Sequence, residues 1–170
     1  MNSYFEEEQR FNQWWLWVPM LIGGLIPIGL LGYGLGQQLL TGEPWGDKPM
    51  SDIGLALMFL FVVVLLGGLC WLFVSARLET KIDRWSVQYR YKPFINSWKR
   101  IERESIQSYR VRRYFAGGYG VRWSLDGIKT LNVRGRMALE LTFTNSKRLL
   151  IGTQRPDQLL KAMDAMKNPQ

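Results

Sequence analysis

The sequence predicts a two-helix transmembrane hairpin joined to an α+β cytoplasmic domain, an antiparallel β-barrel of about seven strands capped by a C-terminal helix. Three observations predict it. Two long charge-free apolar runs lie within the first 76 of 170 residues, and 20 of the 22 Lys and Arg residues follow them. From Leu78 onward the hydrophobic period then changes to two. The absence of histidine excludes imidazole triads and Cys/His zinc sites, and a single cysteine excludes a disulfide framework. No cofactor is expected.

Residues 1–13 read as a cytoplasmic or interfacial leader. Glu6, Glu7 and Glu8 stand where a signal peptide has basic residues, and the apolar part is too long for one. The first run, Phe11 to Gly42, would reach roughly 48 Å as a helix, more than the roughly 30 Å hydrocarbon core. The first transmembrane helix is therefore assigned to residues 14–40, with Trp14, Trp15 and Trp17 at headgroup level. Residues 41–52, TGEPWGDKPMSD, carry Pro44, Pro49 and two glycines and form a short extracytoplasmic loop. The second span covers residues 53–76, where Cys70 is a small apolar packing residue.

Orientation follows from the basic residues beside the spans. Arg10 and Lys48 are alone in leader and loop, whereas Arg77, Lys81, Arg84, Arg90 and Lys92 follow the second span closely. Both termini are therefore expected in the cytoplasm. Neither span has a charge at mid-depth, which argues against a conduction path. In the first span Gly32 and Gly36 make a small-xxx-small step for close helix packing, against the second span or, alternatively, in a homodimer, and Pro27 is expected to kink the helix.

Residues 77–170 read as short strands: LETKI, SVQYRY, SWKRI, IQSYRVRRY, GVRWSL, TLNV, MALELTF and KRLLIG. In MALELTF, Met137, Leu139, Leu141 and Phe143 share one face and Ala138, Glu140 and Thr142 the other. Val121, Trp123 and Leu125 repeat the alternation. Asp126-Gly127, Arg134-Gly135-Arg136 and Asn145-Ser146 supply hairpin turns, so the strands are expected to form a meander. A helix over residues 154–167 follows, with Thr153 as its cap, Pro156 in its first turn and one apolar stripe of Leu159, Leu160, Met163 and Met166.

The pieces EEEQRFNQWWLW, YRVRRYFAGGYGVRW and KRLLIGTQRPDQL, with this strand, turn and helix pattern, resemble small two-span bacterial membrane proteins that carry a pleckstrin-homology-like domain. The most specific part is Gly117 to Trp123, followed by Ile151 to Pro156, and the resemblance covers nearly the whole chain. It implies a PH-like barrel in the bacterial inner membrane and offers no catalytic residues to carry over. The phosphoinositide-binding pattern of the eukaryotic domains is not matched, since IDRW holds only Arg84 in the first hairpin loop.

Residues 77–170 hold 20 basic and 8 acidic residues, a surplus that anionic headgroups attract and that the positive-inside bias also predicts. Arg110 and Arg112 share a strand face and are candidate anion or lipid ligands, together with Arg122 and Arg84. Arg122 is also placed to pair with Glu140 or Asp126. The GGYG stretch, Gly117 to Gly120, lacks a phosphate-loop signature and reads as a strand connection. Tyr89, Tyr91, Trp98 and Trp123 interleave with basic residues as in single-strand nucleic-acid binders, but membrane tethering favours packing roles and no nucleic-acid partner is expected. Glu102 and Glu104 have no nucleophile, base or metal set beside them, and Ser105 and Ser108 have no histidine to activate them, so catalysis is not expected. The expected function is a membrane-anchored binding or scaffolding module that engages a protein partner, for instance by strand addition. Anionic-lipid sensing by the basic face and service as an accessory subunit of a membrane enzyme or transporter are the alternatives.

Overall fold

A computed structural model describes residues 3–11, 14–114, 120–123, 127–133 and 135–168. The chain divides into two compact units, residues 12–73 and residues 1–11 together with 74–170.

The first unit is a pair of helices, α1 (Trp14–Thr41) and α2 (Asp52–Ser75). Both are long and apolar enough to cross a bilayer and bury little of their surface within the fold, which points to membrane association. The helix α1 runs through both Pro19 and Pro27. Glycines let the two helices approach: a Cβ on Gly24 would lie 3.2 Å from Leu66 Cδ1, and one on Gly32 would lie 3.3 Å from Phe59 Cε2. Gly36, expected to share this role, has no heavy atom within 4 Å of its Cβ position. The loop between the helices folds back on α1. Buried Gln38 donates to the Met50 carbonyl at 2.9 Å and to Asp52 at 2.5 Å, and its Oε1 accepts from the Trp45 N–H at 3.3 Å.

Among the described residues the second unit holds nine strands and a helix. The first sheet has the order β1-β2-β3-β4, with β1 (Phe5–Arg10), β2 (Arg77–Ile82), β3 (Ser86–Lys92) and β4 (Ile95–Glu102). A 3-10 turn at Arg103–Ser105 leads to β5 (Ile106–Arg113). The second sheet contains β5, β6 (Gly120–Trp123), β7 (Lys129–Asn132), β8 (Met137–Phe143) and β9 (Arg148–Thr153) in the order β5-β8-β9-β7-β6. The helix α3 spans Pro156–Lys167.

The eight strands read from residue 77 onward all form, but their arrangement differs from the expected one in two ways. The leader adds a ninth strand, β1, paired antiparallel with β2 from Phe5↔Ile82 to Arg10↔Arg77. The strands also make two sheets that are not closed into a barrel. The second sheet is not a meander. The strand β9 inserts between β8 and β7 and runs parallel to β7, so β7 and β8 do not pair as the hairpin expected between them requires. The strands β6 and β7 pair antiparallel from Gly120↔Asn132 to Trp123↔Lys129, the hairpin expected there, with Gly127 at φ 70. The Asn145-Ser146 tip forms as expected, with Ser146 at φ 62 and its N–H bonded to the Phe143 carbonyl at 2.9 Å. Phe115 to Tyr119, Leu125, Asp126 and Arg134 lie outside the described residues, so of GGYG only Gly120 is described.

The core lies between the sheets, where Leu78, Ile82, Val87, Leu131, Leu139, Leu141 and Ile151 are fully buried. The helix α3 packs on β1, β2, β5 and β8 through Leu159, Ala162, Met163 and Met166. Leu160, expected in this stripe, is 38% exposed, and Ala162 takes its place. That substitution follows from helical geometry, since 159, 162, 163 and 166 hold to one face and 160 turns away from it. Thr153 is not the N-cap of the helix: that position is Arg155, whose side chain makes no capping hydrogen bond and whose N–H donates to Thr153 Oγ1 at 3.0 Å.

Candidate functional site

Two features of the second unit bring chemistry-bearing side chains together. One is a cluster on the face of the second sheet away from the core. In one row across that sheet Arg110 pairs with Glu140, Glu140 with Leu150, Leu150 with Thr130, and Thr130 with Arg122. Four steps of about 4.8 Å set Arg110 and Arg122 roughly 19 Å apart along this row. Glu140 is only 1% exposed, and Arg110 Nε and Arg112 Nε reach its Oε2 at 2.6 and 2.7 Å while Arg148 Nη1 stands 3.7 Å from its Oε1. Burial opposes ionisation of Glu140, but the Arg110 hydrogen bond and the charges of Arg112, Arg110 and Arg148 outweigh it and hold the carboxyl below its ordinary range.

The structure therefore brings Arg110 and Arg112 together, as the alternation predicts, but around a carboxylate of the same sheet. Arg148, which joins them, was not singled out from sequence. Its signal was the Asn145-Ser146 turn, which pairs β9 with β8 and sets Arg148 opposite Thr142, two positions from Glu140 on the same face. Arg122 is exposed at the sheet edge and makes no ion pair with Glu140. Arg84 is in the β2–β3 turn of the other sheet, with its guanidinium 5.3 Å from the ring centroid of Trp85, and does not join the cluster. Glu102 ends β4 and Glu104 lies in the 3-10 turn, both exposed, so they share no strand face.

The other feature is a groove of about 420 Å³ between β1 and α3, lined by Tyr4, Phe5, Glu6, Arg155, Gln158, Lys161, Ala162 and Ala165. It exists because the leader folds as an edge strand. Phe5, Glu7 and Gln9 of β1 turn inward and Glu6, Glu8 and Arg10 outward. The Glu7 carboxylate accepts from Thr153 Oγ1 at 2.7 Å and from the Gln154 N–H at 2.8 Å, and this is the role Thr153 takes in place of capping. Gln9 donates to the Gly152 carbonyl. Outside, Lys81 meets Glu6 at 3.1 Å and Arg77 stands 3.6 Å from Glu8.

One edge of β1 pairs with β2, and the other opens on the groove. The Glu6 carbonyl points away from β2 and accepts from Arg155 Nη2, and the Arg155 guanidinium lies 5.1 Å from the ring centroid of Phe5. By the alternation of an antiparallel ladder, Glu8 turns its N–H and C=O the same way. On the helix side, Ala162 and Ala165 are too small to fill the space, and Lys161 makes no ion pair among the described residues. Chemically the groove offers a row of backbone hydrogen-bonding groups, an apolar floor and two cations. Sequence reasoning missed it because three consecutive glutamates conceal the period-two pattern of FEEEQR.

Among the described residues no cluster of His, Cys, Asp or Glu is arranged to hold a metal ion. Comparison with known proteins finds no matching family model, no matching curated protein and no matching solved structure.

Proposed function

We propose that this protein is a membrane-anchored binding module whose second unit, an open form of the PH-like architecture, takes up an extended segment of a protein partner in the β1–α3 groove. The observation that carries the reading is the outer edge of β1, which pairs with no other strand among the described residues and lies beside Ala162 and Ala165 of α3. An added strand would continue the first sheet through main-chain hydrogen bonds, and its side chains would alternate between the groove floor and solvent. Arg155 and Lys161 favour an acidic side chain in that segment, and Arg155 must release the Glu6 carbonyl for full pairing.

The anchoring half of the reading is supported by connectivity. The strand β1 precedes α1, β2 follows α2, and the two strands pair in full register, so the chain leaves and re-enters the same domain. Two spans between them satisfy that condition. The basic surplus after α2 supports a cytoplasmic domain, N-in and C-in, and the bacterial inner membrane is the location that the resemblance to two-span bacterial proteins implies.

The test is site-specific photo-crosslinking of the full chain in its membrane, with the photoreactive residue at Gln158 and, as control, at Ser146. A discrete adduct is expected at Gln158 alone, and Ala165→Trp, which fills the groove, should abolish it. Adducts shared by both positions, or unaffected by Ala165→Trp, would overturn the groove assignment.

A further inference from the structure

The outward face of the first sheet carries its charges in rungs. Arg10 lies opposite Arg77, and Arg77 opposite Lys92, so three cations stand side by side across three strands. Like charges in directly opposed positions are unfavourable. The next rung holds Glu8 opposite Glu79, with Arg90 beyond them, and begins about 7 Å along the strands. Ion pairs run between the rungs: Arg10 to Glu8 at 2.7 Å, Arg77 to Glu8 at 3.6 Å and Lys92 to Glu79 at 3.5 Å. Arg90 holds the same Glu79 at 2.5 Å, so two carboxylates serve four cations and positive charge is left over.

The direction of this arrangement is informative. Exchanging the two rungs would allow the same ion pairs, so nothing within the sheet fixes which rung comes first. The cationic rung is the one next to the apolar helices along the chain: Arg77 follows the end of α2 at Ser75 by two residues, and Arg10 precedes the start of α1 at Trp14 by four. Two residues reach at most about 7 Å. The β3–β4 turn lies at this same end, because Lys92 pairs with Arg77. Phe94 in that turn is 65% exposed, with its ring stacked on Tyr91 at 6.1 Å. Cations at headgroup depth and an aromatic ring at the interface are what a bilayer surface selects.

We propose that this end of the first sheet is a seat for anionic phospholipid, with Arg10, Arg77 and Lys92 on headgroup phosphates and the Phe94 ring in the interface. The seat rests on the reading of α1 and α2 as membrane spans, and the occupant is the lipid leaflet, not phosphate free in solution.

The experiment uses the full chain with Cys70→Ser, carrying an environment-sensitive dye on Phe94→Cys or, as control, on Ser146→Cys. Each is placed in nanodiscs of phosphatidylcholine, alone or mixed with phosphatidylglycerol. Acrylamide quenching is expected to be several-fold weaker at 94 than at 146 in the anionic discs. That protection should diminish with added salt, in neutral discs and in an Arg77→Gln/Lys92→Gln variant. Should the charge variant misfold, the comparison of lipid compositions with the rung intact decides. Equal quenching at both positions in anionic discs overturns the seat, as does protection in neutral discs on adding inorganic phosphate. A chain that remains in solution without disc or detergent overturns the spanning reading and the seat with it, whereas a loaded disc with position 94 open to quencher overturns the seat alone.

Discussion

Gln9 donates its Nε2–H to the carbonyl of Gly152 at 2.6 Å, which ties the first strand of the chain to the last across 143 positions. Gln9 is 1% exposed, and its Oε1 has no hydrogen-bond partner among the described residues. Gln9→Leu removes one hydrogen bond and one buried unpaired oxygen together, so the expected change in stability is within about 1 kcal/mol. Gln9→Glu sets an acceptor-only carboxylate against a carbonyl in the same buried position and should cost about 3 kcal/mol or more. Unfolding of the full chain in detergent micelles measures both. Equal losses for the two variants would mean that the Gln9 amide does not hold β1 in the way described.

The backbone at Gly152 lies close to its neighbours. A Cβ there would stand 2.7 Å from Asn132 Oδ1 and 3.3 Å from the Leu131 carbonyl oxygen. Asn132 is itself 1% exposed, and the Leu131 carbonyl oxygen belongs to the backbone of β7. Gly152→Ala should therefore destabilise by about 1–3 kcal/mol through overpacking. Combining it with Asn132→Ala should recover part of the loss, and a double-mutant cycle on thermal unfolding reads that coupling. Strict additivity would remove the Asn132 contact as the cause.

The Glu140 cluster is asymmetric in its exposure, and so should be its mutants. Glu140 is 1% exposed, whereas the Arg110 side chain is 65% exposed. Arg110→Gln leaves Arg112 on the carboxylate and should leave stability nearly unchanged, because the exposed guanidinium is screened by solvent. Glu140→Gln removes the negative charge and puts a donor NH2 in place of one oxygen that the arginines share, which leaves their charges uncompensated, a loss of about 1.5–3 kcal/mol. The ranking of the two in chemical denaturation checks the assignment. It bears on function as well, because Glu140→Gln frees cationic charge on this face while Arg110→Gln removes some.

Much of this architecture can be read from local pattern. Both apolar helices fall within one residue of the expected ends, and the eight strands after α2 appear where the period changes to two. What escaped is non-local. Glu7 sits at an inward position of β1 because Thr153 and Gln154, nearly the whole chain away, satisfy its carboxylate, and no window around FEEEQR contains that fact. The parallel pairing of β7 with β9 escaped for a similar reason: turn residues specify that the chain reverses, not which strand inserts beside it. Of the site residues, Arg110 and Arg112 were legible from their spacing of two. The groove was not, because half of its wall is the leader strand.

Among the described residues, four carboxyls of the second unit lie below their ordinary range and shape its response to acid: exposed Glu6, lowered by its hydrogen bonds from Ser3 and Lys81, and three less exposed ones. Burial raises Glu79, but hydrogen bonding and charge from Arg90, with Lys92, bring it below its ordinary value. Burial likewise opposes ionisation of Asp83, and the N–H of Trp85, the Ser86 hydroxyl and N–H and the Gln88 amide outweigh it. Glu140 is lowered by its arginines. A folded value below the unfolded one means that stability is present above the unfolded range, about pH 4, and is lost as pH falls through the folded values. Melting temperature in micelles should therefore be level from neutral pH to about 5 and drop below about 4, with Asp83→Asn reducing the acid slope and lowering the neutral plateau. A stability maximum below pH 4 would contradict the assigned directions.

Gly32 and Gly36 separate two uses of a small residue in α1. A Cβ at Gly32 meets the Phe59 ring of α2 at 3.3 Å, whereas one at Gly36 meets nothing within 4 Å. Gly32→Leu forces the helices apart or displaces Phe59 and should destabilise the hairpin by about 1–3 kcal/mol in a detergent-titration unfolding assay. Gly36→Leu should stay within about 0.5 kcal/mol, because the added side chain lies on an uncovered helix surface. The pair also distinguishes packing within one chain from packing between copies. If Gly36→Leu leaves hairpin stability unchanged but lowers the yield of chemically crosslinked dimer, the Gly36 face belongs to contact between copies; if neither measurement moves, that face meets lipid alone.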